Sequence, residues 1–97
     1  MNGVDYLVQI AIALPDDWSE SRRVAARADE LRRGRELVEA GVIRRIWRVT
    51  GRTANVGIWT ASSLDELRAA LSSLPMFPWM TITVTELGRH PLEESTS

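Results

Sequence analysis

The sequence predicts an α+β fold of the ferredoxin-like kind: an antiparallel four-stranded sheet with two helices on one face. Three observations carry that expectation. Four β-branched, apolar stretches alternate with two helical ones in the order strand, helix, strand, strand, helix, strand. The middle two strands are separated only by Thr50-Gly51-Arg52, a tight connection in which Gly51 can take a positive φ. The chain has 97 residues, 44% of them apolar, which suits one small domain, 1–97, and is too apolar for disorder.

The first strand, Tyr6 to Leu14, alternates bulky residues (Tyr6, Val8, Ile10, Ile12) with Leu7, Gln9, Ala11 and Ala13. Both faces are therefore expected to be covered, one by small residues. Gln9 is its one polar side chain, readable as a satisfied sheet residue or as a hydrogen bonder in a pocket. Pro15-Asp16-Asp17 reads as a turn. Asp17 followed by Glu20 has the capping-box spacing, with Ser19 as a rival cap, and Gly41 ends the helix that follows. The helical stripe is read as Val24, Ala28, Leu31, Leu37 and Val38, with Gly34 allowing close approach to the sheet. Arg23, Arg27, Glu30, Arg33 and Glu36 then form a solvated charged face.

The second strand is expected over 42–50, with Ile43, Arg45, Trp47 and Val49 on one face and Arg44, Ile46 and Arg48 on the other. The third runs over 54–60, antiparallel to it. Ser63-Leu64-Asp65-Glu66 is a capping box that opens a helix to about Ser73, with Leu64, Leu67, Ala70 or Leu71, and Leu74 inward. Leu74 to Met80 is an apolar loop stiffened by Pro75 and Pro78, a composition expected on a core or at an interface. Thr81 to Gly88 is the fourth strand, and a flexible polar tail is expected from about residue 92. Two helices cover only one face of such a sheet. The other face, read as largely apolar, predicts a second copy packed face to face, giving a homodimer of the dimeric α/β-barrel type.

Composition narrows the chemistry. All twelve basic residues are arginine, so a lysine Schiff base and a lysine general base are excluded. With no cysteine and a single histidine, thiol catalysis and His/Cys-rich metal sites are excluded too. A net charge of −1 gives no reason to expect nucleic acid or an acidic membrane as partner. No apolar run is long enough for a membrane span and no leader is evident, so a cytoplasmic protein is the default expectation. Neither a dinucleotide-binding glycine motif nor a phosphate-binding loop is present, and no cofactor is expected.

Acid–base chemistry with arginines on an anion remains. Glu30 is the candidate base: beside Leu31 at the edge of the helical stripe, a desolvated carboxylate would have its pKa raised toward a useful range. The alternative is a solvated glutamate paired with Arg27 or Arg33. Arg48 and Arg52 are candidate anion binders, with Glu86, Glu30 or a substrate carboxylate as the partner Arg48 needs. Asn55 can hydrogen-bond a lactone or carboxylate oxygen. Trp47, Trp59 and Trp79 suit a core or an interface as well as a ligand surface. His90 reads equally as a strand-end hydrogen bonder and as a catalyst.

The strings W-R-V-x-G-R-x-A-N (47–55), S-x-x-E-L (63–67), L-S-S-L-P-x-F-P-x-M (71–80) and V-T-x-L-x-R-H-P (84–91) closely resemble muconolactone Δ-isomerases. The resemblance extends over residues 6–91. It implies a small ferredoxin-like protein that dimerises through its sheet, assembles further to a decamer and needs no cofactor. The implied reaction moves the ring double bond of muconolactone to give 3-oxoadipate enol-lactone, in the catechol branch of the β-ketoadipate pathway. Glu30 aligns with a glutamate of that family, Arg48, Arg52, Asn55, Trp47 and His90 become expected substrate contacts, and the partner is a small lactone or carboxylate. The chain departs from the family's usual E-K-A-Y at Glu30-Leu31-Arg32-Arg33, and from W-R-H-L-W-R at 43–48, where Arg45 replaces a histidine. Another cofactor-free isomerisation or cyclisation, or an oligomeric binding domain without activity, are the alternatives at this point.

Overall fold

The computed structural model describes residues 3–94. It contains β1 (Val4–Ile12), α1 (Glu20–Glu39), β2 (Ile43–Arg48), β3 (Ala54–Ala61), α2 (Leu64–Ser72), a 3-10 turn (Phe77–Trp79), β4 (Met80–Leu87) and a short α3 (Pro91–Glu94). The four strands form one sheet in the order β2-β3-β1-β4, with every neighbouring pair antiparallel. This is the expected ferredoxin-like arrangement. Pro91–Glu94 forms a helical turn where the flexible tail was expected to begin; residues 95–97, the rest of that expected tail, lie outside the described residues.

The core lies between the sheet and the helices. Tyr6, Val8 and Ile10 of β1 pair in register with Trp59, Gly57 and Asn55 of β3 and with Glu86, Val84 and Ile82 of β4. Their common face meets Leu37, Leu67, Leu71 and Leu74, and Trp59, Leu67 and Val8 are buried almost completely. Burial of one such side chain is worth about 1.5–3 kcal/mol. The apolar loop supports this core, with Leu74 and Met76 buried, while Phe77 remains exposed.

Both long helices are capped by serine. Ser19, rather than Asp17, accepts from the Arg22 N–H at 3.1 Å to start α1. Gly41 (φ 81°) ends it: the Gly41 N–H donates to Val38 O and the Val42 N–H to Leu37 O, the paired bonds of a Schellman motif. At α2 the Ser63 hydroxyl accepts from the Glu66 N–H, while the Glu66 carboxylate accepts from the N–H and hydroxyl of Ser62. The capping box is thus present, with its return bond one residue earlier than the usual pattern.

Three expectations require correction. The inward stripe of α1 is Arg23, Ala26, Glu30, Arg33, Gly34 and Leu37, all partly or fully buried, while Val24, Leu31 and Val38 are 50–55% exposed. The supposed solvated face therefore supplies much of the packed one. Long side chains make this tolerable by laying their stems along the protein and bringing their heads to acceptors. The Arg23 guanidinium donates to Pro15 O at 2.6 Å, and Arg33 donates to the Ser73 hydroxyl and to Glu36. Second, close approach occurs at Gly57, not Gly34: a Cβ on Gly57 would lie 2.5 Å from Arg45 O, whereas one on Gly34 would meet nothing within 4 Å. Third, the pairing of β2 with β3 shifts register between Ile43 and Arg45. This bulge puts Ile43 on the same face as Ile46 and Arg48 and breaks simple alternation, a change no period-two reading can anticipate.

The uncovered face carries Leu7, Gln9 and Ala11 of β1, Val56 and Ile58 of β3, Trp47 of β2, and a row of Thr81, Thr83 and Thr85 on β4. It is apolar at its centre and polar along the β4 edge, less uniformly apolar than expected. Gln9 is exposed there.

Candidate active site

A pocket of about 580 Å³ opens at one end of the molecule, where α1 passes β2 and the β2–β3 turn. Arg27 and Leu31, one turn apart, form its helical wall. Ile46, Trp47 and Arg48 of β2, Arg52 and Thr53 of the turn, Ala54 and Asn55 of β3, and Ile12 of β1 form the rest. The local sequence explains this assembly. Gly51 (φ 82°) closes the turn, the Arg52 N–H donates to Val49 O, and Arg48 pairs with Asn55 across the hairpin. Arg48, Asn55 and Arg52 are thereby held within one rigid corner.

Four of the six candidate residues, Arg48, Arg52, Asn55 and Trp47, therefore line one pocket. Its charged lining residues are all arginines. Glu86, one of the carboxylates considered as a protein partner of Arg48, lies on β4 at the opposite edge of the sheet, three strand spacings across and four residues along, roughly 19 Å away. The Asn55 Oδ1 is buried without a hydrogen-bond donor among the described residues. An unsatisfied buried acceptor costs about 1–3 kcal/mol, and such a cost is concentrated at functional sites. Trp47 is half exposed and the Arg45 guanidinium stacks over its ring at 4.9 Å.

Glu30 stands in the inward stripe of α1, one turn beyond Arg27 and next to Leu31. Its Oε1 accepts from the Met76 N–H at 2.9 Å. Burial pushes its pKa up from the ordinary value of 4.5, and the Met76 hydrogen bond opposes that in part. The sequence alternative, a solvated glutamate paired with Arg27 or Arg33, does not describe it: Arg33 pairs with Glu36, and no ion pair between Glu30 and Arg27 is formed.

His90 lies apart from this pocket. It caps α3, with its Nδ1 accepting from the Leu92 N–H and its carbonyl from the Glu93 N–H. Sequence reasoning missed Arg27 and Leu31 as pocket residues; the signal was their i,i+4 spacing on the flank of Glu30. Of the three departures from the resembled motif, Leu31 lines the pocket, Arg45 stacks on Trp47, and Arg33 ties α1 to α2. A larger concavity, about 860 Å³, lies between α2 and β4 and is lined by Tyr6, Arg68, Phe77 and Glu86 among others. It contains none of the candidate residues, so the smaller, arginine-lined pocket is the better candidate.

The fold and this site define a small ferredoxin-like α+β protein with an arginine-lined pocket and a partly buried carboxylate, Glu30, on the same helix but outside the pocket lining. A family model described as Muconolactone delta-isomerase matches residues 4–93. The Muconolactone Delta-isomerase of Cupriavidus pinatubonensis is 38% identical over 86 residues, covering 89% of this chain and 94% of that protein. Muconolactone Delta-isomerase 2 of Acinetobacter lwoffii is 36% identical over 83 residues, 86% of each chain. The crystal structure of a muconolactone isomerase superposes with a TM-score of 0.83 at 33% identity, over 90% of this chain and 91% of the other. The chain belongs to the muconolactone Δ-isomerase family.

Proposed function

We propose that this chain is a cofactor-free isomerase that converts muconolactone to 3-oxoadipate enol-lactone by a 1,3-proton shift. The observation that carries the reading is the position of Glu30: half-buried, raised in pKa, and one helical turn from the wall of an arginine-lined pocket. In the proposed mechanism Arg48 and Arg52 hold the carboxymethyl group of the substrate by charge-assisted hydrogen bonds. The Glu30 carboxylate takes the proton γ to the lactone carbonyl, breaking that C–H bond and leaving a dienolate. The same carboxyl returns the proton to the α carbon, so the double bond moves and Glu30 ends as it began. The Asn55 amide and the arginines offset the charge that develops on the lactone oxygen, and Trp47 lies along the ring. His90 has no step in this scheme.

The raised pKa of Glu30 serves this chemistry, since a base closer in pKa to its carbon acid transfers the proton with less cost. We place the reaction in the catechol branch of the β-ketoadipate pathway and the protein in the cytoplasm; among the described residues no helix is long and apolar enough to cross a membrane. We read the oligomer as a homodimer formed through the uncovered sheet face around Leu7, Val56 and Ile58. Val24, Leu31 and Val38, exposed and seven residues apart along α1, supply a second apolar row for assembly toward a decamer. The reading is tested by adding the purified protein to muconolactone and following the ring protons by NMR. The enol-lactone is expected to accumulate; unchanged muconolactone across pH 6–9 would overturn it.

A further inference from the structure

We propose that Trp18 and Trp79 are positioning residues for the isomerisation: their stack holds the turn that presents the Met76 N–H to Glu30. This rests on the reading of Glu30 as the base and adds what keeps its carboxylate in place. Trp79 closes the 3-10 turn, and its N–H donates to Met76 O at 2.9 Å. Met76 is thus hydrogen-bonded through both backbone groups, its carbonyl to Trp79 and its N–H to Glu30. The Trp79 carbonyl accepts from the Ala13 N–H at 3.0 Å, which ties the turn to the end of β1. On its other side the Trp79 ring meets Trp18 edge to face, with centroids 4.8 Å apart and planes at 76°. The Arg22 guanidinium lies over the Trp18 ring, 3.9 Å from its centroid. The chain before α1 is itself pinned, since the Trp18 N–H and the Arg23 guanidinium both donate to Pro15 O.

The turn is therefore attached to α1 at two places, through Trp18 and Arg22 near its start and through Glu30 further along. Arg22 and Glu30 are eight residues apart, which is about 12 Å along the helix axis. A turn held at one point can swivel about it; held at two separated points it cannot. Edge-to-face rings and a cation over an indole each have a preferred geometry, so the stack fixes orientation as well as distance. Orientation matters here because a misplacement of ~1 Å in a reacting group can cost on the order of 10²-fold in rate. Neither tryptophan lines the arginine-lined pocket, so the stack acts through Met76 and not on the substrate.

Trp18→Leu and Trp79→Leu test the stack, with Trp18→Phe and Trp79→Phe as variants that keep an aromatic ring. Hydrogen exchange at the Met76 amide, followed by NMR, measures the clamp without any turnover. It is expected to quicken about tenfold or more in each leucine variant and to stay within about threefold of wild type in the phenylalanine ones. With muconolactone, the leucine variants should lose about tenfold in kcat while KM changes less than about twofold, and phenylalanine should restore most of the loss. In a Glu30→Gln background the same leucine substitutions should change kcat less than about twofold, because no base remains to be positioned. Unchanged Met76 exchange in folded leucine variants, a loss carried by KM, or a full loss in the Glu30→Gln background would each overturn the proposal. Should a leucine variant fail to fold, Arg22→Gln, which leaves both rings in place, is expected to quicken Met76 exchange about twofold or more, and no change there would overturn the proposal. Faster exchange in the variants without turnover by the wild type would remove the isomerase reading and keep the clamp; turnover with unchanged exchange would do the reverse.

Discussion

The carboxylate of Glu30 accepts a hydrogen bond from the backbone N–H of Met76 at 2.9 Å, tying the middle of α1 to the loop that leads into β4. Met76 is 3% exposed, and Glu30 is the side-chain partner of its N–H. The bond fixes the carboxylate that the mechanism uses and ties α1 to the apolar loop. Replacement by glutamine keeps an acceptor at the same place; replacement by alanine leaves the N–H unsatisfied. Glu30→Ala is expected to lose about 1–3 kcal/mol in urea unfolding at pH 7, and Glu30→Gln to be at least as stable as the wild type. Equal loss in both variants would show that the Met76 bond is not what Glu30 contributes.

The pH dependence follows from the direction of the Glu30 shift. Its folded pKa is raised above 4.5, so the native state holds the proton more tightly than the unfolded chain. The resulting stabilisation is complete below the ordinary carboxylate value and is lost as pH rises through the folded one. Wild-type stability measured relative to Glu30→Gln should therefore decline from about pH 4.5 upward. Activity runs the opposite way, because the base must be ionised. The acidic limb of kcat/KM should lie above the ordinary glutamate range, and a limb at or below it would contradict the burial argument.

Arg48 and Arg52 are assigned to binding, which makes a kinetic signature specific to them. Arg48→Gln and Arg52→Gln should each lower kcat/KM for muconolactone about ten- to a hundredfold, mainly through KM, since each removes a charge-assisted hydrogen bond worth about 1.5–3 kcal/mol. Unfolding midpoints should hardly move, because both side chains are exposed. A fall confined to kcat would instead assign them to the transition state alone.

The bulge in β2 sets the position of Arg48, and Gly57 permits the bulge. A Cβ at residue 57 would meet Arg45 O at 2.5 Å and the Ile46 Cα at 3.3 Å, both backbone atoms that cannot swing aside. Gly57→Ala should destabilise the fold by about 1–3 kcal/mol and weaken substrate binding together, by pushing β2 outward. Destabilisation with unchanged KM would separate the bulge from the pocket.

Element order, the Ser63 capping box, the Gly41 helix stop and the short connection around Gly51 were legible in the sequence because each depends on local chemistry, whereas at α1 Asp17 was read ahead of the actual cap, Ser19. Ser63 with Glu66 and Gly41 act within one turn of their own position, and the hairpin joining Arg48 to Asn55 is only a few residues long. The rotation of α1 was not legible. Its apolar residues form two competing rows, and the sheet selects the row containing Ala26, Gly34 and Leu37. That choice turns Glu30 inward and Leu31 toward the pocket mouth. The β2 bulge and the Glu30–Met76 bond were hidden for the same reason, since each depends on a partner distant in sequence or on another strand.

The most direct test of the account is the rate of muconolactone isomerisation by wild-type and Glu30→Gln protein at equal concentration, with folding of both verified by circular dichroism. The wild type is expected to convert the substrate, and Glu30→Gln, intact in fold, to be slower by about 10²–10⁴-fold, the contribution of a positioned general base. Equal rates in the two proteins would contradict it.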